Sequence, residues 1–329
     1  MKVLVLGGAG QEGRTAVERL AAHSEVTQVI VADLNIDKAQ ALARTHGEKV
    51  SAIHVDIRDE TALDETLRQA DVVINLVGPY FLYQEHVLKA AIHAGVNYVD
   101  ISDDWQPTLA CLELSDKANA AGITAIIGLG VSPGSMNMLA MYAAQQLDSV
   151  DEVHLRWAVS VTDVDELGAS AAVHHALHMV DGAFPTFKNG EITNIQPFTE
   201  PEIFEFPKLG PQPVFHVGHP EPATLPKYLP GVQTVSQKGS VPGFNEEWQG
   251  LHEFGLTSSD PLTIAGNQVS PQQVAMALMS RLDDGSTEGL PEPLSEFHTI
   301  VVGSSNGKHV ELEYSFRTPD QMSPNTGTP

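Results

Sequence analysis

Apolar runs and amphipathic stretches alternate along the first 130 residues of the chain. The apolar runs are rich in valine and isoleucine and occupy residues 3–6, 29–32, 72–77, 98–101 and 124–127, with a further strand that ends at Asp56. Amphipathic stretches separate them at residues 12–22, 37–45, 60–69 and 86–93. Continuous apolar strands joined by helices are typical of a parallel sheet covered on both faces. The pattern predicts an α/β fold with a six-stranded, doubly wound Rossmann sheet.

Beyond Gly134 the pattern changes to mixed helices and strands with many turns. Most of the 21 prolines follow residue 180, and the final residues, 317–329, are polar without a closing helix. We therefore predict a Rossmann domain at residues 1–134 and a second, α+β domain at residues 135–329. The elements predicted after the boundary are a helix at 135–147, a strand at 153–161, a helix at 170–180 and a hairpin of strands 299–302 and 310–316 around Asn306-Gly307.

The net charge limits the molecules that the protein can bind, and the cysteine content indicates its compartment. The chain has 42 acidic and 18 basic residues and a net charge of −24, which repels nucleic acid and anionic membranes. No apolar run approaches the roughly 20 residues of a membrane span. The single cysteine, Cys111, excludes an intrachain disulfide framework and fits a reducing, cytoplasmic compartment.

A glycine-rich motif follows the first predicted strand and opens a helix. In the G-x-G-x-x-G pattern, the first glycine, Gly8, is expected to permit the tight turn. The second, Gly10, would let the backbone approach a pyrophosphate, and the third, Gly13, would let the helix pack on the strand. The anion would lie at the helix N-terminus. The loop predicted to bind a dinucleotide consists of Gly8, Ala9, Gly10, Gln11, Glu12 and Gly13.

Acidic residues at the next strand ends bear on the choice of cofactor. Asp33 lies 20 residues beyond Gly13, where an acid binds the ribose hydroxyls and repels a 2′-phosphate. No arginine follows it to hold that phosphate, so the sequence favours NAD over NADP. Asp56 is a candidate for the adenine edge or a helix cap. The turn Val77-Gly78-Pro79 is expected beside the nicotinamide, with an ordinary strand-to-helix turn as the alternative.

Four segments together resemble the saccharopine dehydrogenase-like family, above all its lysine 6-dehydrogenases and saccharopine reductases. They are Gly78-Pro79-Tyr80, residues 86–92, residues 95–100 and residues 128–134. The resemblance implies an NAD(P)-dependent oxidoreductase acting at the C–N bond of an amino acid or an amine derived from one. It also implies a second domain that lines the substrate cleft and builds a homodimer. Ser132 replaces the aspartate of saccharopine reductases, and the family's further C-terminal helices are missing, which suggests a truncated chain.

Hydride transfer at a C–N bond requires orientation, a proton relay and charge matching of the substrate. Tyr80 could orient the substrate or relay a proton, or simply pack beneath the cofactor. Asp103 follows the fifth strand and could bind an ammonium group or act as a base, while one of its acidic neighbours caps the helix near Gln106. His174 and His219 are candidates for proton transfer. The predicted catalytic residues are Tyr80, Asp103, His174 and His219.

A substrate carboxylate would be bound by cationic side chains or by the free backbone N–H groups at the start of a helix. Ser132 and Gly134 open the next helix, where free N–H groups attract an anion, although this could be an ordinary helix start. Arg156 is one of the few cations that could face a carboxylate, and surface pairing is its alternative. His174 and His178 are four residues apart without an H-E-x-x-H pattern, so no metal site is expected. The predicted substrate-binding residues are Ser132, Gly134, Asn137, Arg156 and Glu221.

A second class of function remains open. A Rossmann protein can bind a dinucleotide as a redox sensor or scaffold without turnover. Acid–base groups and a carboxylate anchor near the nicotinamide distinguish an enzyme from such a protein. The acids after the fifth strand and the histidines of the second domain favour the enzyme. A short-chain dehydrogenase is excluded because the chain lacks the Tyr-x-x-x-Lys pair.

Overall fold

The computed structural model describes residues 1–159, 171–279 and 294–318. It divides into two compact units, which among these residues run from Met1 to Ser135 and from Met136 to Thr318. The end of the predicted strand 153–161, the first residue of the predicted helix 170–180 and most of the segment 317–329 lie outside the described residues. No described helix is long and apolar enough to cross a membrane.

The first unit is built on a six-stranded parallel sheet with the order β3-β2-β1-β4-β5-β6. Successive side chains of the first strand pack on opposite faces: Leu4 and Leu6 join one buried core, Val3 and Val5 the other. This double burial explains the continuous apolar runs, and the predicted Rossmann fold is confirmed. The strands are β1 (Lys2–Leu6), β2 (Gln28–Asp33), β3 (Val50–His54), β4 (Val72–Asn75), β5 (Asn97–Asp100) and β6 (Ala125–Ile126).

Helices connect these strands and end where the local sequence dictates. Asp59 caps α3 by accepting hydrogen bonds from the backbone N–H groups of Thr61 and Ala62. Gly95 ends α4 with a left-handed φ of 68°. The helices of the first unit are α1 (Gln11–Ala22), α2 (Ile36–Thr45), α3 (Glu60–Leu67), α4 (Tyr80–Ala94), α5 (Trp105–Leu112) and α6 (Ser115–Ala120).

The second unit contains a mixed eight-stranded sheet whose main path is β10-β11-β12-β7-β15-β16, with β8 and β9 attached to β12. Its central strand β7 pairs in parallel with β12 and antiparallel with β15. The predicted α+β class of this half is confirmed. The strands are β7 (Ser149–Val159), β8 (Phe184–Lys188), β9 (Glu191–Ile195), β10 (Glu202–Phe206), β11 (Gly210–His216), β12 (Thr234–Ser240), β13 (Leu262–Ile264), β14 (Asn267–Val269), β15 (Ser295–Ser305) and β16 (Lys308–Thr318).

Five described helices accompany this sheet. The structure also tests two predictions for this unit, a hairpin and a helix. The predicted hairpin is confirmed, because β15 and β16 turn at Asn306 and Gly307 with φ angles of 52° and 70°. The helix predicted at 135–147 is shorter at both ends, because an irregular turn at Val131–Ser135 precedes it and residues 145–148 form turns after it. The helices are α7 (Met136–Ala144), α8 (Ala171–His178), α9 (Glu221–Thr224), α10 (Asn245–Glu253) and α11 (Pro271–Met279).

Candidate functional site

The glycine-rich loop between β1 and α1 is tightly packed. The turn residue with positive φ is Gly7, at 72°, and a Cβ there would lie 2.7 Å from the carbonyl oxygen of Leu76. The turn was predicted at Gly8, so that assignment is wrong by one residue. A Cβ on Gly13 would lie 2.4 Å from the carbonyl oxygen of Gly7, which confirms that Gly13 permits close packing of helix and loop.

Gly10 differs from its neighbours because it is exposed. A Cβ at this position would meet only the carbonyl oxygen of Gly7, at 3.1 Å. Gly10 is also the N-cap residue of α1 and has no side chain to satisfy the first N–H groups of the helix. A Cβ at Gly10 would therefore require only a small shift of the Gly7 carbonyl, but the side chain would occupy the space of a phosphate at the helix N-terminus. This cradle fits the pyrophosphate of a dinucleotide.

Asp33 ends β2 beside this loop. One carboxylate oxygen accepts a hydrogen bond from the Ala9 N–H at 3.0 Å, and the other accepts from the Asn35 N–H at 2.8 Å. Each oxygen has a second lone pair with which to accept from a ribose hydroxyl. The side chain thus connects the loop that would hold the phosphates with the strand end that would hold the ribose.

Asp56 lies in the loop after β3 rather than on the strand, which ends at His54. The Arg58 guanidinium binds its carboxylate through two nitrogens, at 2.9 and 2.7 Å, and lowers the pKa of Asp56 to about 2. Asp59, not Asp56, caps α3. The cap alternative for Asp56 is therefore wrong, its adenine-edge role stays a prediction, and Arg58 is a neighbour that the sequence reasoning missed.

The turn after β4 leads directly into Tyr80, the first residue of α4. Within the turn, the Val77 N–H donates to the side-chain oxygen of Asn75 at 3.2 Å, and the Tyr80 hydroxyl donates to the Asn75 carbonyl at 3.3 Å. Desolvation of the ring, followed by the charge of Asp100, raises the pKa of the Tyr80 phenol well above its usual value. A phenol that stays protonated keeps its hydrogen bond to Asn75 and can orient a bound group by accepting a hydrogen bond from it.

Asp100, at the end of β5, is a fully buried carboxylate that the sequence reasoning did not single out. It accepts hydrogen bonds from the Tyr98 hydroxyl at 2.7 Å and the Gln84 amide at 2.8 Å. It also accepts from the Ser102 and Gly128 N–H groups at 3.0 and 2.7 Å. Burial raises its pKa, and these donors oppose the rise. One side chain thereby ties together α4, β5 and the loops that follow β5 and β6.

The two acids after Asp100 have different surroundings. Asp104 is buried and is the N-cap residue of α5, but its carboxylate does not cap that helix. It accepts a hydrogen bond from the Phe81 N–H in the first turn of α4, at 3.0 Å. Asp103 is half-buried in the same loop. The predicted helix cap is therefore wrong, because the buried acid of this loop binds the first turn of α4 instead, and the role of Asp103 stays a prediction.

The segment after β6 holds three predicted substrate residues. Ser132 has extended backbone angles within the irregular turn, so it does not belong to the first helical turn. A Cβ on Gly134 would lie 2.6 Å from the carbonyl carbon of Leu129, which gives this glycine a packing role. Asn137, in the first turn of α7 in the second unit, has a buried side-chain oxygen without a hydrogen bond from the described residues.

In the second unit, His219 lies in a buried cluster with Trp157, His175 and Glu221. Its Nδ1 is 3.2 Å from a carboxylate oxygen of Glu221, and both side chains are almost fully buried. The rings of His175 and Trp157 have their centres 5.4 and 6.0 Å from the His219 ring. His174 lies on α8 apart from these contacts, and desolvation lowers its pKa. The structure therefore brings together His219 and Glu221 of the predicted residues.

Arg156 precedes Trp157 on β7, so the two side chains point to opposite faces of the sheet. The buried guanidinium of Arg156 binds Glu202, whose other carboxylate oxygen lies 2.8 Å from the Lys238 ammonium. Lys238 is the register partner of Arg156 on β12. Arg156 is thus paired on the face away from His219, and its predicted contact with a substrate carboxylate gains no support from this arrangement.

Comparison with known proteins agrees with this geometry. Residues 3–126 match the family model described as the saccharopine dehydrogenase NADP binding domain. Carboxyaminopropylagmatine dehydrogenase of Synechocystis sp. is 26% identical over 320 residues, which cover 89% of this chain and 73% of that protein. The NADP(+)-dependent, L-glutamate-forming saccharopine dehydrogenase of Saccharomyces cerevisiae is 35% identical over 153 residues, 46% of this chain and 31% of the relative.

The fold of the described chain also matches a solved structure. Apo saccharopine dehydrogenase (L-Glu forming) from Saccharomyces cerevisiae superimposes with a TM-score of 0.68 at 18% identity, covering 99% of this chain and 88% of that one. The family model and these relatives confirm the resemblance found in the sequence and support binding of a nicotinamide dinucleotide. The chain is similar to saccharopine dehydrogenase-like oxidoreductases, and its first unit matches the dinucleotide-binding domain of that family.

Proposed function

We propose that the protein transfers hydride at the C–N bond of an amino acid or an amine derived from one. The observation that carries the proposal lies at the carboxyl edge of the first sheet. The exposed Gly10 cradle lies after β1, and Tyr80 and Asp103 follow β4 and β5, whose strand ends face the ligand crevice in such folds. A bound nicotinamide would supply the hydride acceptor or donor.

The chain's own residues would supply orientation and proton transfer. Asp103 would hold the substrate nitrogen as a cation, and the Tyr80 hydroxyl, whose proton is donated to Asn75, would orient the reacting group by accepting a hydrogen bond from it. Oxidation of an amine to an imine moves a hydride from carbon and releases a proton from nitrogen, which His219 would accept. The helix start that follows Ser132 would face a substrate carboxylate.

We also propose that the cofactor is NAD rather than NADP. Asp33 carries a negative charge beside the phosphate loop, and Leu34 and Asn35, which follow it, bring no cation to neutralise a 2′-phosphate. The family model that matches this unit is described as NADP-binding, so a direct titration of both cofactors has to decide the preference.

A cytoplasmic homodimer is a further part of the proposal. The single thiol, Cys111, is buried, and burial raises its pKa to about 12, so it would stay reduced and unreactive in such a compartment. The family resemblance supports dimerisation through the second unit. Sedimentation equilibrium tests it, with a monomer as the contradicting result.

A turnover screen tests the proposed reaction. Purified protein is incubated with amino acids, or with oxo acids and amines, and either cofactor while the absorbance of the reduced nicotinamide is followed. We expect turnover of at least one amine, and Asp103→Asn should lower kcat/KM by about a hundredfold with dinucleotide binding unchanged. Asp116→Asn, in the first turn of α6, is the matched control. Tight dinucleotide binding without turnover of any amine would favour the sensor function instead.

A further inference from the structure

We propose that Glu221 is a positioning residue that holds His219 in a single tautomer. The effect of Glu221 on the tautomer does not depend on the proposed function. Only the role of His219 as the proton acceptor rests on it. The sequence suggested a substrate contact for Glu221. In the structure its side chain is fully buried and lies 3.2 Å from Nδ1 of His219, which is itself only 5% exposed. A carboxylate in that position forms a hydrogen bond with the imidazole of His219.

The chemistry of the pair determines which nitrogen carries the proton. An ionised carboxylate only accepts hydrogen bonds, so Nδ1 of His219 must be the donor. In the neutral ring the lone pair is then on Nε2, the atom that can accept a proton from a substrate. The same division of roles operates where a buried carboxylate orients a catalytic imidazole in hydrolases. Glu221 would thereby keep His219 in the tautomer that can act as a base at Nε2.

The protein also fixes the plane of the ring. The His219 ring is in contact with Trp157 on one strand and meets the His175 ring edge-on, at an interplanar angle of 79°. Trp157 can occupy its position because its register partner on β12 is Gly239. A Cβ on Gly239 would lie 2.2 Å from the indole ring, so any larger residue would displace Trp157. The glycine in mid-strand is thus part of the support for His219.

Three other histidines of this unit pair with glutamates, but those glutamates are far more exposed than Glu221. His154, His216 and His298 are bound to glutamates that are 46, 53 and 47% exposed. Among the described residues, only the pair of His219 and Glu221 has both partners almost fully buried. Water screens the charge of an exposed glutamate, whereas the charge of a fully buried one acts on the imidazole with little screening.

Nitrogen-15 NMR of the histidine rings tests the inference without requiring a substrate. In the native protein we expect the His219 signals, identified with His219→Gln, to report a proton on Nδ1. In Glu221→Gln they should report a mixture of tautomers, because an amide can donate as well as accept. Glu313→Gln, which alters the exposed pair of His298, is the matched control and should leave the His219 signals unchanged. An unchanged His219 tautomer in Glu221→Gln would overturn the proposal.

Kinetics on a substrate found by the screen add a second readout. Glu221→Gln should lower kcat on the order of ten- to a hundredfold with KM and dinucleotide affinity nearly unchanged, and Glu221→Asp should retain part of the rate. Full activity of Glu221→Gln would contradict the inference. If the native protein turns over no amine, the proposed function fails. The NMR result would still decide whether Glu221 sets the tautomer, and Glu221→Asp allows that measurement if the glutamine variant does not fold.

Discussion

Asp100 in the first unit and Arg156 in the second are both buried charges, but they are held in different ways. Asp100 accepts four hydrogen bonds from four segments that meet at the ends of the strands. Arg156 shares the carboxylate of Glu202 with Lys238, its neighbour on the adjacent strand. The first arrangement orders the loops that would hold ligands, and the second holds strands together. Changes near the first should therefore affect ligand handling, and changes near the second should affect stability.

The largest expected effect is the loss of dinucleotide binding in Gly10→Val. The side chain would require only a small shift of the Gly7 carbonyl but would occupy the space of the phosphates, so binding should weaken by about a hundredfold or more. Isothermal calorimetry measures the affinity, and the thermal midpoint should stay close to that of the native protein.

The neighbouring variant Gly13→Val serves as a contrast. Its Cβ would collide with backbone atoms at 2.4 and 2.6 Å, so it should destabilise the first unit as well as abolish binding. Native affinity in Gly10→Val would show that the loop is only a structural turn.

Acid should destabilise the second unit through His216. Burial, with the charge of Lys238, lowers the pKa of His216 to about 4, below the value of about 6.5 in an unfolded chain. The unfolded state therefore binds the proton more readily, and stability should fall as the pH drops from about 6.5 to about 4, by up to about 3 kcal/mol. Urea unfolding at several pH values, for the native protein and His216→Gln, measures this contribution. An identical pH dependence in the two proteins would contradict it.

Asp100→Asn should combine a loss of stability with a loss of function. The amide would replace an acceptor oxygen by a donor where four hydrogen-bond donors converge, which should cost about 3 kcal/mol. The loops after β5 and β6 would lose their common anchor, so kcat/KM should fall as well. Urea unfolding and steady-state kinetics check the two effects. A variant with lower stability and native kinetics would show that Asp100 does not order the site.

Much of the first unit could be predicted from the sequence because its signals are local. The strand pattern, the glycine motif and the acid at position 33 all depend on short-range spacing. The sequence does not single out Asp100, since its four donors come from residues 84, 98, 102 and 128. A single sequence does not reveal strand register. Register brings Arg156 close to Glu202 and packs Trp157 against Gly239. Proton-transfer and substrate residues of the second unit were therefore proposed without their partners.

The smallest expected effect concerns the choice of cofactor. Asp33→Asn removes the negative charge that should repel a 2′-phosphate while keeping the size of the side chain. The ratio of NAD(H) to NADP(H) affinity should fall by about tenfold, which corresponds to about 1.4 kcal/mol. Fluorescence titration with both cofactors measures the ratio, and Asp37→Asn, in the first turn of α2, is the control. An unchanged ratio would assign the preference to other residues.

Transfer of an isotope tests the proposed reaction most directly. An amine that the screen identifies is deuterated at the carbon that bears the nitrogen and incubated with the protein and the oxidised dinucleotide. The account predicts that the reduced cofactor, analysed by mass spectrometry, carries one deuterium on its nicotinamide ring, and that Asp103→Asn forms it far more slowly. Tight dinucleotide binding with no deuterium transferred from any amino acid or secondary amine would contradict the account.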